Sequence, residues 1–222
     1  ADPCNPRALE GQPMQDTRRR TSDSEGRRES GESGQTLVEF ALVIPILFFA
    51  FTALLELALG FNAFVGVNRA SQQAAHLASI AGNQSGADCL ILSQIEEHIA
   101  APTRTNSIID VRIQRTSLAG NWAYQQQLYA RGGSLECTMP NGDEVSLPYT
   151  QMESGYPEDQ RCTALKGCPT LDDRSTVDNI AVGIRYRHDW VTPFPSIITS
   201  LPGGTEGWTF TQRNIFRMEP TL

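Results

Sequence analysis

The sequence predicts an α+β protein: a single N-terminal membrane helix that continues into a long amphipathic helix, followed by a small antiparallel sheet. Three observations support this class. Residues 37–67 form a run of 31 residues with only two charged side chains, Glu39 and Glu56. Apolar residues then recur at helical spacing as far as residue 81, and beyond residue 102 they alternate with polar residues as they do in strands.

The first 34 residues differ in composition from the rest of the chain. They hold six Arg and seven acidic residues, with almost no large apolar side chains. Such a segment cannot bury enough apolar surface to fold, so residues 1–34 are predicted to be a disordered cytoplasmic leader. The whole chain carries a net charge of -7. A general nucleic-acid binder presents a basic face, so we expect no nucleic acid among the partners.

The apolar run is long enough to cross a bilayer. Residues 37–55 supply 19 positions before Glu56, and about 20 apolar residues span the hydrocarbon. Five Arg lie within twenty residues on the N-terminal side, whereas only Arg69 lies close on the other. The positive-inside rule therefore places the N-terminus in the cytoplasm and the rest outside. We interpret Glu56 as a residue of the outer interface, where a change to Gln is expected to be mild.

The helical pattern continues beyond the membrane run. Five apolar residues fall on one stripe of a helix, at Ala70, Ala74, Leu77, Ala78 and Ala81. Gly82 and Asn83 are predicted to end this helix. Residues 35–82 are therefore predicted to be the transmembrane and projecting helix, and a shorter helix is predicted from about residue 88 to residue 100.

Residues 83–222 are predicted to form an extracytoplasmic α+β domain. Alternating apolar and polar residues predict three strands, near residues 109–114, 180–186 and 208–216. Asn141-Gly142 predicts the turn of a further hairpin, and Gly132-Gly133 is interpreted as a turn. Residues 150–176 are rich in Pro, Gly, Asp and Cys, which indicates a long loop.

Two kinds of signal could occupy the N-terminal region. A Sec signal would have a small-residue site at Ala58-Leu59-Gly60, but the apolar run is longer than usual and the helical pattern passes through Gly60. A small residue also precedes the run, at Gly34. A cut between Gly34 and Gln35 would make Glu39 the fifth residue of the mature chain. That spacing is typical of a class III, or type IV-like, prepilin signal.

Three segments, in the same order, resemble the TadE-like family, whose members are minor pilins or pseudopilins of the tight adherence (Tad/Flp) pilus. They are GQTLVEFALVIPILFF at residues 34–49, VNRASQQAAHLASIAG at residues 67–82, and the C-terminal VGIRYRHDWVTPFPSIITSLPG and FTQRNIFRMEP. Residues 102–176 carry no such resemblance. The resemblance implies a pilin-like fold and cleavage at Gly34-Gln35 by a membrane aspartyl prepilin peptidase.

The resemblance also suggests a role for Glu39. Cleavage would create an α-amino group on Gln35, four residues before this carboxylate. A carboxylate at the bilayer centre costs about 2.5–3.5 kcal/mol, and an amine of the same chain or of a neighbouring subunit would offset that cost. Such a pair would set the axial register during assembly, so we assign Glu39 and Phe40 to assembly. The alternative is that Glu39 only snorkels at the cytoplasmic interface.

The cysteines are divided between the leader and the extracytoplasmic domain. Cys4 lies in the leader and four others lie in the domain, at Cys89, Cys137, Cys162 and Cys168. An even set outside the cytoplasm predicts two disulfides, with three possible connectivities. Cys162-x5-Cys168 is not a usual zinc spacing, and no His lies nearby in sequence. We therefore expect structural disulfides rather than a metal site.

The sequence gives little support for a catalytic role. The histidines, His76, His98 and His188, are scattered and lie outside frames such as G-x-S-x-G or H-E-x-x-H. Each is interpreted as a surface or interface residue. We expect neither enzymatic activity nor a cofactor.

We expect a structural component of Tad pilus assembly in the cytoplasmic membrane. Its predicted partners are the bilayer, the other pilus subunits with their assembly platform, and the prepilin peptidase. The alternatives are a membrane-anchored binding or adhesion module unrelated to pili, and a secreted protein with a cleaved Sec signal. The mature N-terminus separates the three: Gln35 for the pilin, an uncut leader for the anchor, and a residue near Phe61 for secretion.

Overall fold

A computed structural model describes residues 32–99, 101, 103–117, 122–164, 177–192 and 207–218. Its elements confirm the α+β class: helices α1 (Glu32–Ala81) and α2 (Ala87–His98), short 3-10 turns at Thr105–Ser107 and Glu158–Gln160, and strands β1 (Ile108–Thr116), β2 (Trp122–Thr138), β3 (Glu144–Ser154), β4 (Asn179–Asp189) and β5 (Gly207–Arg217). The chain divides into two units between Phe48 and Phe49.

The first unit contributes the start of α1. This helix begins at Glu32, three residues before Gln35, and it continues past Pro45. Every side chain from residue 34 to residue 48 is exposed. Residues 1–31 of the predicted leader lie outside the described residues.

In the second unit, the five strands form one antiparallel sheet in the order β3-β2-β1-β4-β5. β1 is central because it pairs with β2 on one side and with β4 on the other. β4 and β5 form a hairpin-like pair along their whole length, from Asn179↔Arg217 to Asp189↔Gly207.

The core of this unit joins both helices to the sheet. Four members of the predicted helical stripe are buried, at Ala70, Ala74, Ala78 and Ala81, and Leu77 is half-buried. Ala70, Ala74 and Ala78 share one buried cluster with apolar residues of α2 and of the central strands. The Ser71 hydroxyl, next to this stripe, donates to the Val182 carbonyl at 2.7 Å and links α1 to β4.

β1 departs from simple alternation. Val111 and Ile113 are buried as predicted, but Ile109 is only half-buried, whereas Asp110 and Gln114 are buried. The pairing with β4 shifts register between Ile108 and Asp110, and such a bulge re-aims the side chains that follow it. The expected inward position of Ile109 is therefore wrong.

β2 is longer than the sequence indicated. It has 17 residues and runs through Gly132 and Gly133, which therefore do not form a turn. Both glycines have positive φ, 104° and 122°, and they lie where the pairing with β3 shifts register between Arg131 and Leu135. A bulge of this kind needs residues that tolerate positive φ. At Gly133 a Cβ would also lie 2.1 Å from the Thr150 hydroxyl oxygen.

The predicted hairpin turn at Asn141-Gly142 joins β2 to β3. Gly142 has a φ of 91°, and the turn is closed by the Met139 amide, which donates to the Asp143 carbonyl at 2.8 Å. β3 then extends to Ser154, so the first five residues of the predicted loop 150–176 form strand instead. Residues 165–176 of that loop lie outside the described residues.

Candidate functional site

Helix α1 exposes an unusual amount of apolar surface. In the first unit, Leu37 and Ile46 are each 69% exposed, and Phe40 is exposed to a similar extent. Among the described residues, α1 is the helix long and apolar enough to cross a membrane, over Gly34–Ala81. Contact of such an apolar surface with lipid is favourable, whereas its exposure to water costs free energy. The helix therefore fits a single-pass membrane protein.

The predicted processing and register residues lie together on this exposed stretch. The Gln35 side-chain amide donates to the Glu39 carboxylate at 3.1 Å, one helical turn away. Phe40 follows Glu39 and is exposed. At Gly34 an added Cβ would meet no atom within 4 Å, so nothing in the fold requires a glycine there. The roles of these four residues in processing and assembly stay predictions.

In the second unit, Glu56 joins α1 to the end of β4. It is only 6% exposed. Its Oε1 accepts from the Val191 amide and its Oε2 accepts from the Thr192 amide, both at 3.0 Å. His188 Nε2 lies 3.3 Å from Oε1.

One interpretation from the sequence is therefore wrong: His188 is not a surface residue, since it is 7% exposed and lies against Glu56. Glu56 is itself buried, and both of its carboxylate oxygens accept hydrogen bonds. Its place at the outer interface of the membrane stays a prediction. A second carboxylate in an apolar run signals that a polar partner is needed. The partner itself lies 132 or more residues away, where no local pattern identifies it.

An aromatic cluster covers the next turns of α1. The Phe64 and Tyr186 rings each lie 5.5 Å from the Phe210 ring, and Trp208 packs edge-on to both His188 and Phe210. Trp208 also lies against Gly60, where an added Cβ would be 2.5 Å from the indole. Gly60 is therefore needed for the close packing of α1 against Trp208.

A buried ion pair holds α2 at the other end of the domain. Arg161 is fully buried, and its Nη2 donates to Asp88 Oδ1 at 2.5 Å. The Tyr129 hydroxyl donates to the other Asp88 oxygen at 2.8 Å. Burial, together with the Asp88 charge, raises the pKa of Tyr129 well above its ordinary value, so this phenol remains a donor.

The N-terminus of α2 is capped from a distance. Its N-cap residue is Gly86, which has no side chain to accept a hydrogen bond. Glu158 supplies the missing acceptors, because its two carboxylate oxygens accept hydrogen bonds from the Gly86 amide at 2.8 Å and from the Asp88 amide at 2.6 Å. Burial raises the pKa of Glu158, although these two amide hydrogen bonds act in the opposite direction.

Disulfides link the same region. Cys89 of α2 and Cys137 of β2 are bonded, with 6.1 Å between their Cα atoms. Cys162 is also in a disulfide. Cys4 and Cys168 lie outside the described residues. The expectation of a disulfide is confirmed, and the Cys89–Cys137 pair connects the helix to the β2-β3 hairpin.

The other histidines do not join these clusters. His76 is exposed on α1 with its ring 5.5 Å from that of Phe216, and His98 is exposed in the last turn of α2. Among the described residues, no three His, Cys, Asp or Glu side chains are grouped so that they could hold a metal ion.

Comparison with protein-family models gives a match. The model of the family described as TadE-like protein matches residues 34–76. No curated protein and no solved structure matches the chain significantly. The match begins at Gly34 and ends within the part of α1 that packs on the sheet. The predicted resemblance to the TadE-like family is thus confirmed over residues 34–76, and the resemblance of the C-terminal segments stays a prediction.

Proposed function

We propose that this protein is a minor pilin or pseudopilin of a Tad/Flp-type pilus system. It would initiate, stabilise or tip a filament of smaller major pilins and so serve surface attachment, in a structural rather than an enzymatic role. One observation carries the proposal: the TadE-like match coincides with the exposed apolar start of α1. That stretch carries Glu39 one turn after Gln35, a spacing typical of a prepilin signal.

The proposed location is the cytoplasmic membrane, with the N-terminus inside and residues 83–222 outside. The arginine bias before the apolar run supports this orientation. The Cys89–Cys137 disulfide supports it independently, because disulfides persist in oxidising compartments and are rare in the cytosol.

The proposed processing step is hydrolysis of the Gly34-Gln35 bond by a membrane prepilin peptidase. The new amine of Gln35 would then lie on the turn that precedes Glu39, where the Gln35 side chain already donates to the carboxylate. Oppositely charged groups at this spacing stabilise each other. When subunits pack, the same carboxylate could instead accept the amine of a neighbour.

Mass spectrometry of the mature N-terminus tests this proposal. The wild-type chain, recovered from membranes that contain the pilus system, should begin at Gln35. Gly34→Asp should retain the leader, because the peptidase needs a small residue before the scissile bond. Gly34→Ala is the matched control and should be cut, and neither change disturbs packing, since a Cβ at this position meets nothing within 4 Å.

The same spectra distinguish the alternatives. A wild-type chain that keeps residues 1–34 would refute the prepilin signal and favour a membrane-anchored binding module. A chain that begins near Phe61 would indicate a cleaved Sec signal and secretion. Co-purification of the Gln35-started chain with other pilus subunits would then test its place in assembly.

A further inference from the structure

A cavity lies between α1 and the end of β4. Its volume is about 300 Å³, and a second cavity of about 240 Å³ adjoins it. Four residues line both cavities: Arg104, Tyr186, His188 and Val191. On the α1 side, Leu59 and Ala63 form an apolar wall. The cavity therefore combines a cationic side with a hydrocarbon side.

The cavity lies where the surface of α1 changes from apolar to polar. In the second unit, large exposed apolar side chains recur along the helix as far as Phe64. Beyond it, the exposed positions are polar or charged, at Arg69, Gln72, Gln73 and His76. A membrane helix shows such a change at the interface between hydrocarbon and headgroups, where aromatic side chains are also enriched. The aromatic cluster around Trp208 occupies this level.

The polar side of the cavity can bind an anion. Arg104 is exposed, and the ion pairs between described residues do not include it. Its backbone amide donates to the Tyr186 hydroxyl at 3.1 Å. Because that oxygen already accepts a hydrogen bond, the hydroxyl hydrogen is directed elsewhere and can be donated. The carboxylate on this side, Asp189, is paired with Arg187 at 2.8 Å.

We propose that this cavity binds one anionic phospholipid of the outer leaflet. The headgroup phosphate would accept hydrogen bonds from the Arg104 guanidinium and the Tyr186 hydroxyl, and the first carbons of an acyl chain would lie against Leu59, Ala63 and Val191. A soluble phosphate could use the same donors, but it would leave the apolar wall in contact with water. The proposal rests on the membrane anchoring proposed above, and it assigns a lipid-binding role to the C-terminal domain itself.

Native mass spectrometry of the full-length chain tests this assignment. The protein would be reconstituted in nanodiscs of equal phosphatidylglycerol and phosphatidylcholine, and the lipids retained after release would be counted. We expect one phosphatidylglycerol per chain. Arg104→Gln should lower its retention about five-fold, the effect of removing one basic residue near an anionic headgroup, and Arg104→Lys should keep most of it. Arg69→Gln is the matched control: it removes an exposed arginine of α1 outside the cavity and should retain the lipid.

Four results would overturn the assignment. They are equal retention of the two lipids, unchanged retention in Arg104→Gln, displacement of the lipid by millimolar glycerol 1-phosphate, and a neighbouring polypeptide bound in place of lipid. The mature mass in the same spectra separates this proposal from the pilin proposal. A chain that begins at Gln35 without lipid refutes only the lipid site, and an uncut chain that holds lipid refutes only the prepilin signal.

Discussion

Replacement of Glu56 by Gln should destabilise the C-terminal domain substantially. The two carboxylate oxygens accept from two different backbone amides, those of Val191 and Thr192, each at 3.0 Å. A Gln side chain has one oxygen and one NH2 group, so in either orientation one amide N–H would face another donor. The side chain is 6% exposed, and water therefore cannot replace the lost acceptor.

The magnitude follows from this geometry. A buried donor left without a partner costs about 1–3 kcal/mol, so Glu56→Gln should lower the free energy of unfolding by about that amount. Glu56→Ala removes both acceptors and should cost about twice as much. Both losses are large against a total stability of about 5–15 kcal/mol for a typical domain.

Urea unfolding of the full-length chain in detergent, followed by tryptophan fluorescence, measures this effect. Trp190 directly precedes Val191 and is one of three tryptophans in the chain. Glu39→Gln is the control, because Glu39 is exposed in the first unit and an exposed substitution usually changes stability by less than about 0.5 kcal/mol. If Glu56→Gln unfolds at the same urea concentration as the wild type, these hydrogen bonds do not hold the domain to α1.

Two further changes address the register residue and the buried ion pair. Glu39→Gln should insert and be cut normally, but it should no longer co-purify with pilus subunits or form surface fibres, because the new amine of Gln35 loses its counter-charge. Glu39→Asp should be intermediate. Full fibre assembly by Glu39→Gln would refute the pairing of Glu39 with this amine. Asp88→Asn should cost about 3–5 kcal/mol, because it leaves the Arg161 guanidinium buried without its counter-ion. The exposed neighbour Asp159→Asn serves as control in the same urea titration, and a loss below about 1 kcal/mol for Asp88→Asn would contradict this interpretation.

The features predicted correctly are those that a short stretch of sequence encodes. The apolar start of α1, the buried alanine stripe and the turn at Asn141-Gly142 each depend on residues within a few positions of one another. Periodicity and turn chemistry report such local preferences directly. For the same reason the spacing of Gly34, Gln35 and Glu39 could be recognised without a structure.

The sheet was predicted in outline only. Bulges shift the register at Asp110 and again at Gly132 and Gly133. Each bulge breaks the two-residue period on which strand prediction depends. As a result the sequence predicts the wrong side of the sheet for Ile109. It predicts no strand for residues 122–133, which are most of β2.

The sequence by itself determined that one apolar helix carries a prepilin-like spacing and leads into an α+β domain with disulfides. Only the tertiary structure decided which distant groups meet. It buries Glu56 against the end of β4, Asp88 against Arg161, and Glu158 under the start of α2. These partners are separated by 70 residues or more. A carboxylate in an apolar setting needs a donor, but its identity depends on how the sheet and helices pack, which no local pattern contains.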